Sequence, residues 1–167
     1  GNMRYIFIYC AVLILFSFKT YSFEKLNFEY EFKQPLLIRD GNHTRIYSEG
    51  LVDSIVPGKP ILPFKQVRIL LPPETSIKWV RAVRSNEIKI KGARGLPRYP
   101  HMVPLNLLNS DDAKRASLVN YEIEAQYPSA LSYFSLQKYH GFNVLVANIN
   151  PVYFNDDREL MFAKNIS

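Results

Sequence analysis

The chain has 167 residues, a net charge of +6 and one cysteine, Cys10. This length suits a single domain with its own hydrophobic core. The basic residues are scattered and alternate with apolar ones, which argues against a nucleic-acid-binding surface.

The N-terminal segment has the pattern of a secretory signal peptide. Arg4 precedes an apolar run, Tyr5–Phe16, and small polar residues follow it. The run is shorter than the about 20 apolar residues that cross a bilayer easily, although a buried strand or an anchor is the alternative. We therefore predict that residues 1–22, a two-residue cloning remnant plus the signal peptide, are separate from one exported domain, residues 23–167. That domain would be secreted or periplasmic, with no membrane attachment after signal removal.

Loss of the signal peptide would also change the chemistry of the chain. Removal of its two basic residues lowers the net charge from +6 to +4. Removal of Cys10 leaves the domain without a thiol, which excludes disulfides, a cysteine nucleophile and thiolate metal sites.

Most of the remaining chain has the residue pattern of β-strands. In the first predicted strand Phe28, Tyr30 and Phe32 alternate with polar residues, which places the aromatic rings on one face. Turn residues recur between such segments, and eleven prolines argue against long helices. One helix is predicted at Ser110–Val119. The predicted strands, in chain order, are Leu26–Lys33, Leu36–Arg39, Arg45–Glu49, Gln66–Leu71, Ile77–Arg84, Glu87–Lys91, Leu118–Gln126, Leu131–Tyr139, Phe142–Asn148 and Arg158–Ala163.

This pattern predicts an all-β protein, an antiparallel β-sandwich or partly closed barrel with at most one short helix. Two segments between strands are irregular. Val56–Phe64 contains three prolines and a glycine, and Lys91–Pro104 contains two glycines and three prolines. The second segment is long for a hairpin loop, and long loops of compact domains are usually functional or disordered.

Residue patterns typical of enzymes are missing from the sequence. The three histidines, His43, His101 and His140, are each isolated beside turn residues, so no metal-binding motif forms. The acidic pairs Asp111-Asp112 and Asp156-Asp157 fit turn and cap roles better than calcium binding. We therefore expect no catalytic residue, no metal and no cofactor in this chain.

Several segments together resemble the N-terminal pro-domain of gingipain-type cysteine peptidases. The Gly-x-Pro-x-Leu-Pro turn, Gly58–Pro63, precedes a strand pair, and Tyr127-Pro128 is followed by the strand, turn and strand of Phe142–Tyr153 and Leu160-Met-Phe. Val152 replaces the polar residue that the family has at this point, and Asp156 replaces a proline. The resemblance covers roughly residues 29–164.

The resemblance implies a β-sandwich pro-domain that docks on a caspase-like catalytic domain of the same precursor. Such a domain keeps the peptidase latent, assists its folding during export and is cut away on maturation. The catalytic Cys and His would lie after residue 167, so this chain is expected to be a non-catalytic part of the precursor.

In gingipains the pro-domain places a basic residue in the primary specificity pocket, where a guanidinium would satisfy a buried acid. By loop position the resemblance assigns this inhibitory role to Arg94 or Arg98. Gly95 would allow a close approach of the backbone. Lys114 and Arg115 form a dibasic pair that is the second candidate plug or a processing site.

Two other functions fit the same sequence. A secreted β-sandwich binding or adhesion module could recognise carbohydrate or protein through aromatic side chains. Most of these aromatics sit at alternating strand positions, however, and are predicted to be core. A free-standing peptidase inhibitor is the third interpretation.

Overall fold

The computed structural model describes residues 24–99 and 126–167, which contain ten β-strands and no helix. The predicted signal peptide and the helix Ser110–Val119 lie outside these residues, as does Leu118–Gln126 except for Gln126, which is in a turn. The strands are β1 (Tyr30–Glu31), β2 (Leu36–Asp40), β3 (His43–Tyr47), β4 (Val52–Asp53), β5 (Pro63–Leu71), β6 (Arg84–Lys89), β7 (Leu131–Tyr139), β8 (Phe142–Ile149), β9 (Val152–Phe154) and β10 (Leu160–Ile166).

The strands form two four-stranded sheets and one hairpin, and every pairing among them is antiparallel. In the first sheet β10 is central: β6 pairs along one edge, while β9 and β1 share the other. The second sheet has the order β4-β5-β8-β7, and β2 and β3 form the separate hairpin. No described sheet closes into a barrel, so the predicted all-β sandwich class is confirmed.

One hydrophobic core joins these sheets. Its largest fully buried side chains come from different elements: Phe162 of β10 is 1% exposed, and Ile46 of β3 and Leu62 before β5 are each 2% exposed. Side chains alternate along each strand, so β5 and β8 contribute Val67 and Ala147 to the same core. The core therefore ties the hairpin and the segment before β5 to both larger sheets.

The predicted strand Ile77–Arg84 is wrong, because residues 77–83 lie outside the strands and β6 begins at Arg84. The apolar alternation is real, but β10 provides a partner only from Arg84 onward, opposite Ile166. Val83 and Ser167 exchange both backbone hydrogen bonds just beyond that pairing. The first predicted strand is reduced to β1, and the short strands β4 and β9 were missed.

The prediction that strand aromatics are core is correct for Phe32 and wrong for β7. Phe32 is 6% exposed, whereas Tyr133, Phe134 and Tyr139 are 48%, 51% and 66% exposed. Among the described strands β7 pairs only with β8, at the edge of its sheet, where side chains have fewer neighbours. The described residues contain no helix that is long and apolar enough to cross a membrane.

Candidate functional site

The two irregular segments lie against each other. We call residues 56–64 the proline-rich turn and residues 91–99 the basic loop. Pro60 and Arg98 form an antiparallel β-bridge at the centre of the contact. Three backbone hydrogen bonds flank it: Gly58 N–H to Tyr99 C=O at 2.8 Å, Tyr99 N–H to Lys59 C=O at 3.1 Å, and Ile61 N–H to Pro97 C=O at 2.8 Å. The basic loop is thus paired like a short strand along its C-terminal half.

The proline-rich turn is a firm support because its own backbone is constrained. Its prolines fix φ, and buried Gly58 adopts a φ of +72°, which favours glycine. Leu62 is in the core, and its N–H donates to the Ser54 hydroxyl at 3.0 Å. The turn is therefore anchored at its far end by apolar burial.

The N-terminal half of the basic loop is attached to the β2–β3 hairpin. The buried hydroxyl of Thr44 accepts a hydrogen bond from the Arg94 N–H at 3.0 Å. The Thr44 N–H donates to the Gly95 carbonyl at 3.3 Å, and His43 Nδ1 lies 2.8 Å from the same oxygen. The basic loop is consequently bound on one side by the hairpin and on the other by the proline-rich turn.

Gly95 occupies a position that only glycine fits without strain. Its φ is +56°, and a Cβ there would lie 3.0 Å from the backbone oxygen of Asn42. Gly95 is predicted from the sequence to allow a close backbone approach, and in the structure the approaching group is the hairpin turn of the same chain.

The two candidate arginines differ in what their guanidinium groups contact. The Arg98 Nη1 donates to the Gly58 carbonyl at 2.9 Å, so this side chain contributes to the loop–turn contact. Arg94 is exposed, and its guanidinium makes no hydrogen bond or ion pair within residues 24–99 and 126–167. Lys114 and Arg115, the other candidates, lie outside the described residues.

Two arginines line a groove beside the basic loop. The groove, of about 370 Å³, lies between the loop and the β9–β10 turn, and its described lining includes Arg98 and Arg158. Its walls are otherwise mostly apolar, including Leu96 and Phe154. In the part of the chain that the structure describes, no group of three His, Cys, Asp or Glu side chains could hold a metal ion.

The fold matches solved structures of known peptidase precursors. A structure concerning the zymogenic latency of gingipain K from Porphyromonas gingivalis matches with a TM-score of 0.55 and 15% identity, over 83% of this chain and 82% of that chain. The complex of Porphyromonas gingivalis RgpB pro- and mature domains matches with a TM-score of 0.52 and 12% identity, over 83% of this chain and 74% of that one. The fold is that of a gingipain-type pro-domain. No protein-family model and no curated protein sequence matches the chain.

The described part of this fold contains a half-buried arginine, Arg84, that was not predicted from the sequence to be important. The Arg84 guanidinium donates to the carbonyls of Asn150 and Pro128 at 3.0 and 2.7 Å, and lies 3.7 Å from the centre of the Tyr153 ring. Burial lowers the pKa of Arg84 to about 10, and burial together with a hydrogen bond to Glu87 raises the pKa of Tyr153 to about 12. Arg84 thus joins β6 to β9 and is structural, because its donors are used inside the domain.

Proposed function

We propose that this chain is the pro-domain of a secreted gingipain-like cysteine peptidase. It docks on the catalytic domain of the same precursor, assists its folding and keeps the zymogen latent, while contributing no catalytic residue itself. The observation that carries the proposal is the exposed guanidinium of Arg94 on a loop bound from two sides. The pro-domain fold and the predicted signal peptide support the same function.

Arg94 is the residue that we assign to the specificity pocket. A pocket built for a basic side chain carries a buried acid, and a guanidinium binds a carboxylate through two parallel charge-assisted hydrogen bonds. Because the backbone on both sides of Arg94 is already fixed, little conformational entropy is lost on docking. Arg98 instead supports the loop through its hydrogen bond to Gly58.

Inhibition of Arg- and Lys-specific gingipain-type peptidases by the purified chain tests this function. We expect Arg94→Ala to weaken inhibition about 30-fold or more, since removal of one partner from a buried charge pair costs about 2 kcal/mol or more. Arg81→Ala is the matched control, because Arg81 is exposed and lies outside the basic loop. Equal inhibition by both variants would refute the assignment of Arg94.

A secreted binding module for carbohydrate or protein is the second candidate, favoured by exposed aromatic side chains. Besides the three of β7, Trp79 and Phe142 are 65% and 49% exposed. Exposed aromatic groups of this kind serve as stacking platforms or as the centre of a protein interface. Failure to inhibit any such peptidase, including one encoded in the same reading frame, would make this module the better account.

A further inference from the structure

The Arg94–Gly95 peptide bond is bracketed by the tip of the β2–β3 hairpin. Thr44 contacts the dipeptide at both ends: its hydroxyl accepts from the Arg94 N–H at 3.0 Å, and its N–H donates to the Gly95 carbonyl at 3.3 Å. His43 Nδ1 lies 2.8 Å from that carbonyl oxygen and donates to it in the Nδ1–H tautomer. Thr44 is only 4% exposed, so little water can replace its hydroxyl.

This geometry conflicts with what a peptidase requires of a substrate. Extended peptides bind by adding a strand whose backbone N–H and C=O groups pair with the partner. The N–H of Arg94 and the C=O of Gly95 are already bonded within the domain, and the φ of +56° at Gly95 is not extended. The bond must leave the hairpin before it can be cleaved.

We propose that Thr44 and His43 are positioning residues that protect the Arg94–Gly95 bond from hydrolysis. They allow an exposed arginine to be presented as a ligand rather than as a substrate. Hydrolysis would add one water across this bond, at the carbonyl of Arg94, and would leave a carboxylate on Arg94 and an amine on Gly95. It is slowed because the Arg94 N–H and the Gly95 C=O, on either side of that carbonyl, are bonded to the hairpin and cannot pair with the peptidase. The biological role of this protection depends on the proposed function, but the protection itself applies to any arginine-specific peptidase.

The proline-rich turn holds the C-terminal half of the basic loop independently of Thr44 and His43. The backbone hydrogen bonds of Pro97 and Tyr99 to that turn do not involve the hairpin. Substitution of Thr44 or His43 is therefore expected to free the Arg94–Gly95 segment while the C-terminal half of the basic loop stays in place.

Trypsin is the probe for this proposal, because it cleaves after arginine and is not the proposed partner. The folded full chain is digested briefly, and mass spectrometry compares cleavage after Arg94 with cleavage after Arg81, which is exposed and outside the strands. We expect cleavage after Arg94 to be at least about tenfold slower. Thr44→Val and His43→Phe should each accelerate it about tenfold relative to Arg81, the effect of removing one hydrogen bond.

Thr75→Val is the matched control, since it deletes a side-chain hydrogen bond of 2.7 Å to the Pro72 carbonyl in the turn after β5. It should leave the cleavage ratio unchanged. Thermal unfolding of each variant shows whether it is folded. If Thr44→Val does not fold, His43→Phe provides the test, because His43 is exposed and its substitution disturbs the core less.

Two results would overturn the proposal: equal cleavage after Arg94 and Arg81 in the unmodified chain, or an unchanged ratio in folded Thr44 and His43 variants. Protection from trypsin without inhibition of any gingipain-type peptidase would refute the proposed function and leave this inference intact.

Discussion

Substitution of Gly95 by alanine tests the close contact between the basic loop and the turn of the β2–β3 hairpin. The new Cβ would lie 3.0 Å from the Asn42 backbone oxygen, and the residue would keep a φ of +56°. The left-handed conformation costs a non-glycine residue about 1–2 kcal/mol, and relieving the close contact adds about 1 kcal/mol, because backbone rather than a flexible side chain must move. We expect Gly95→Ala to lower the free energy of unfolding by about 2–3 kcal/mol.

Gly92 provides a control within the same loop. Its φ is +86°, but a Cβ there would have no atom within 4 Å. Gly92→Ala should therefore cost only the conformational strain, about 1–2 kcal/mol. Urea denaturation gives both free energies, and inhibition of an arginine-specific gingipain-type peptidase gives the effect on function. Gly95→Ala should weaken inhibition more than Gly92→Ala, and identical losses of stability and inhibition would refute the contact with Asn42.

Three further predictions concern charged groups. Arg84→Met should lower the free energy of unfolding in urea by about 2–4 kcal/mol, because the carbonyls of Asn150 and Pro128 lose a charged donor; a loss below about 1 kcal/mol would contradict this. The hydrogen bond from Lys89 lowers the pKa of Glu159, so the pair stabilises the fold above the ordinary carboxyl pKa and is lost as the pH falls through the lowered value. The melting temperature should therefore fall less between pH 7 and pH 3 in Lys89→Met than in the unmodified chain. Equal decreases in the two proteins would contradict a contribution of this pair to the pH dependence. Arg98→Ala should reduce both stability and inhibition, as circular dichroism and inhibition assays can show, whereas loss of inhibition alone would assign the plug to Arg98.

The sequence predicted the fold best where the pattern is local. The strand Leu131–Tyr139 was predicted with its observed bounds, because periodic side chains and a following His140-Gly141 turn define it without distant contacts. Ile77–Arg84 has a similar alternation, but none of the described strands pairs with residues 77–83. Alternation reports which side chains favour burial and cannot report whether another strand lies alongside.

The site was predictable in composition but not in geometry. Both irregular segments were recognised from their prolines and glycines, and Arg94 and Arg98 were named as alternatives. The pairing of the segments joins residues about 40 positions apart, such as Gly58 and Tyr99, and no short-range pattern encodes such a contact. The contribution of Thr44 was missed for the same reason, since a threonine in a strand is ordinarily read as a β-former.

The proposed function requires one of the two arginines, which lie four residues apart, to enter a partner's pocket. Withdrawal of the Arg98 guanidinium would leave the Gly58 carbonyl without this donor and weaken the support of the basic loop, at a cost of about 1.5–3 kcal/mol for a charged hydrogen bond. Insertion of Arg94 breaks no side-chain hydrogen bond within residues 24–99 and 126–167, where only the backbone N–H of Arg94 is bonded. A loop that must be rigid and must also present a cation needs these two tasks on different side chains, and we propose that Arg98 supports the loop while Arg94 enters the partner's pocket.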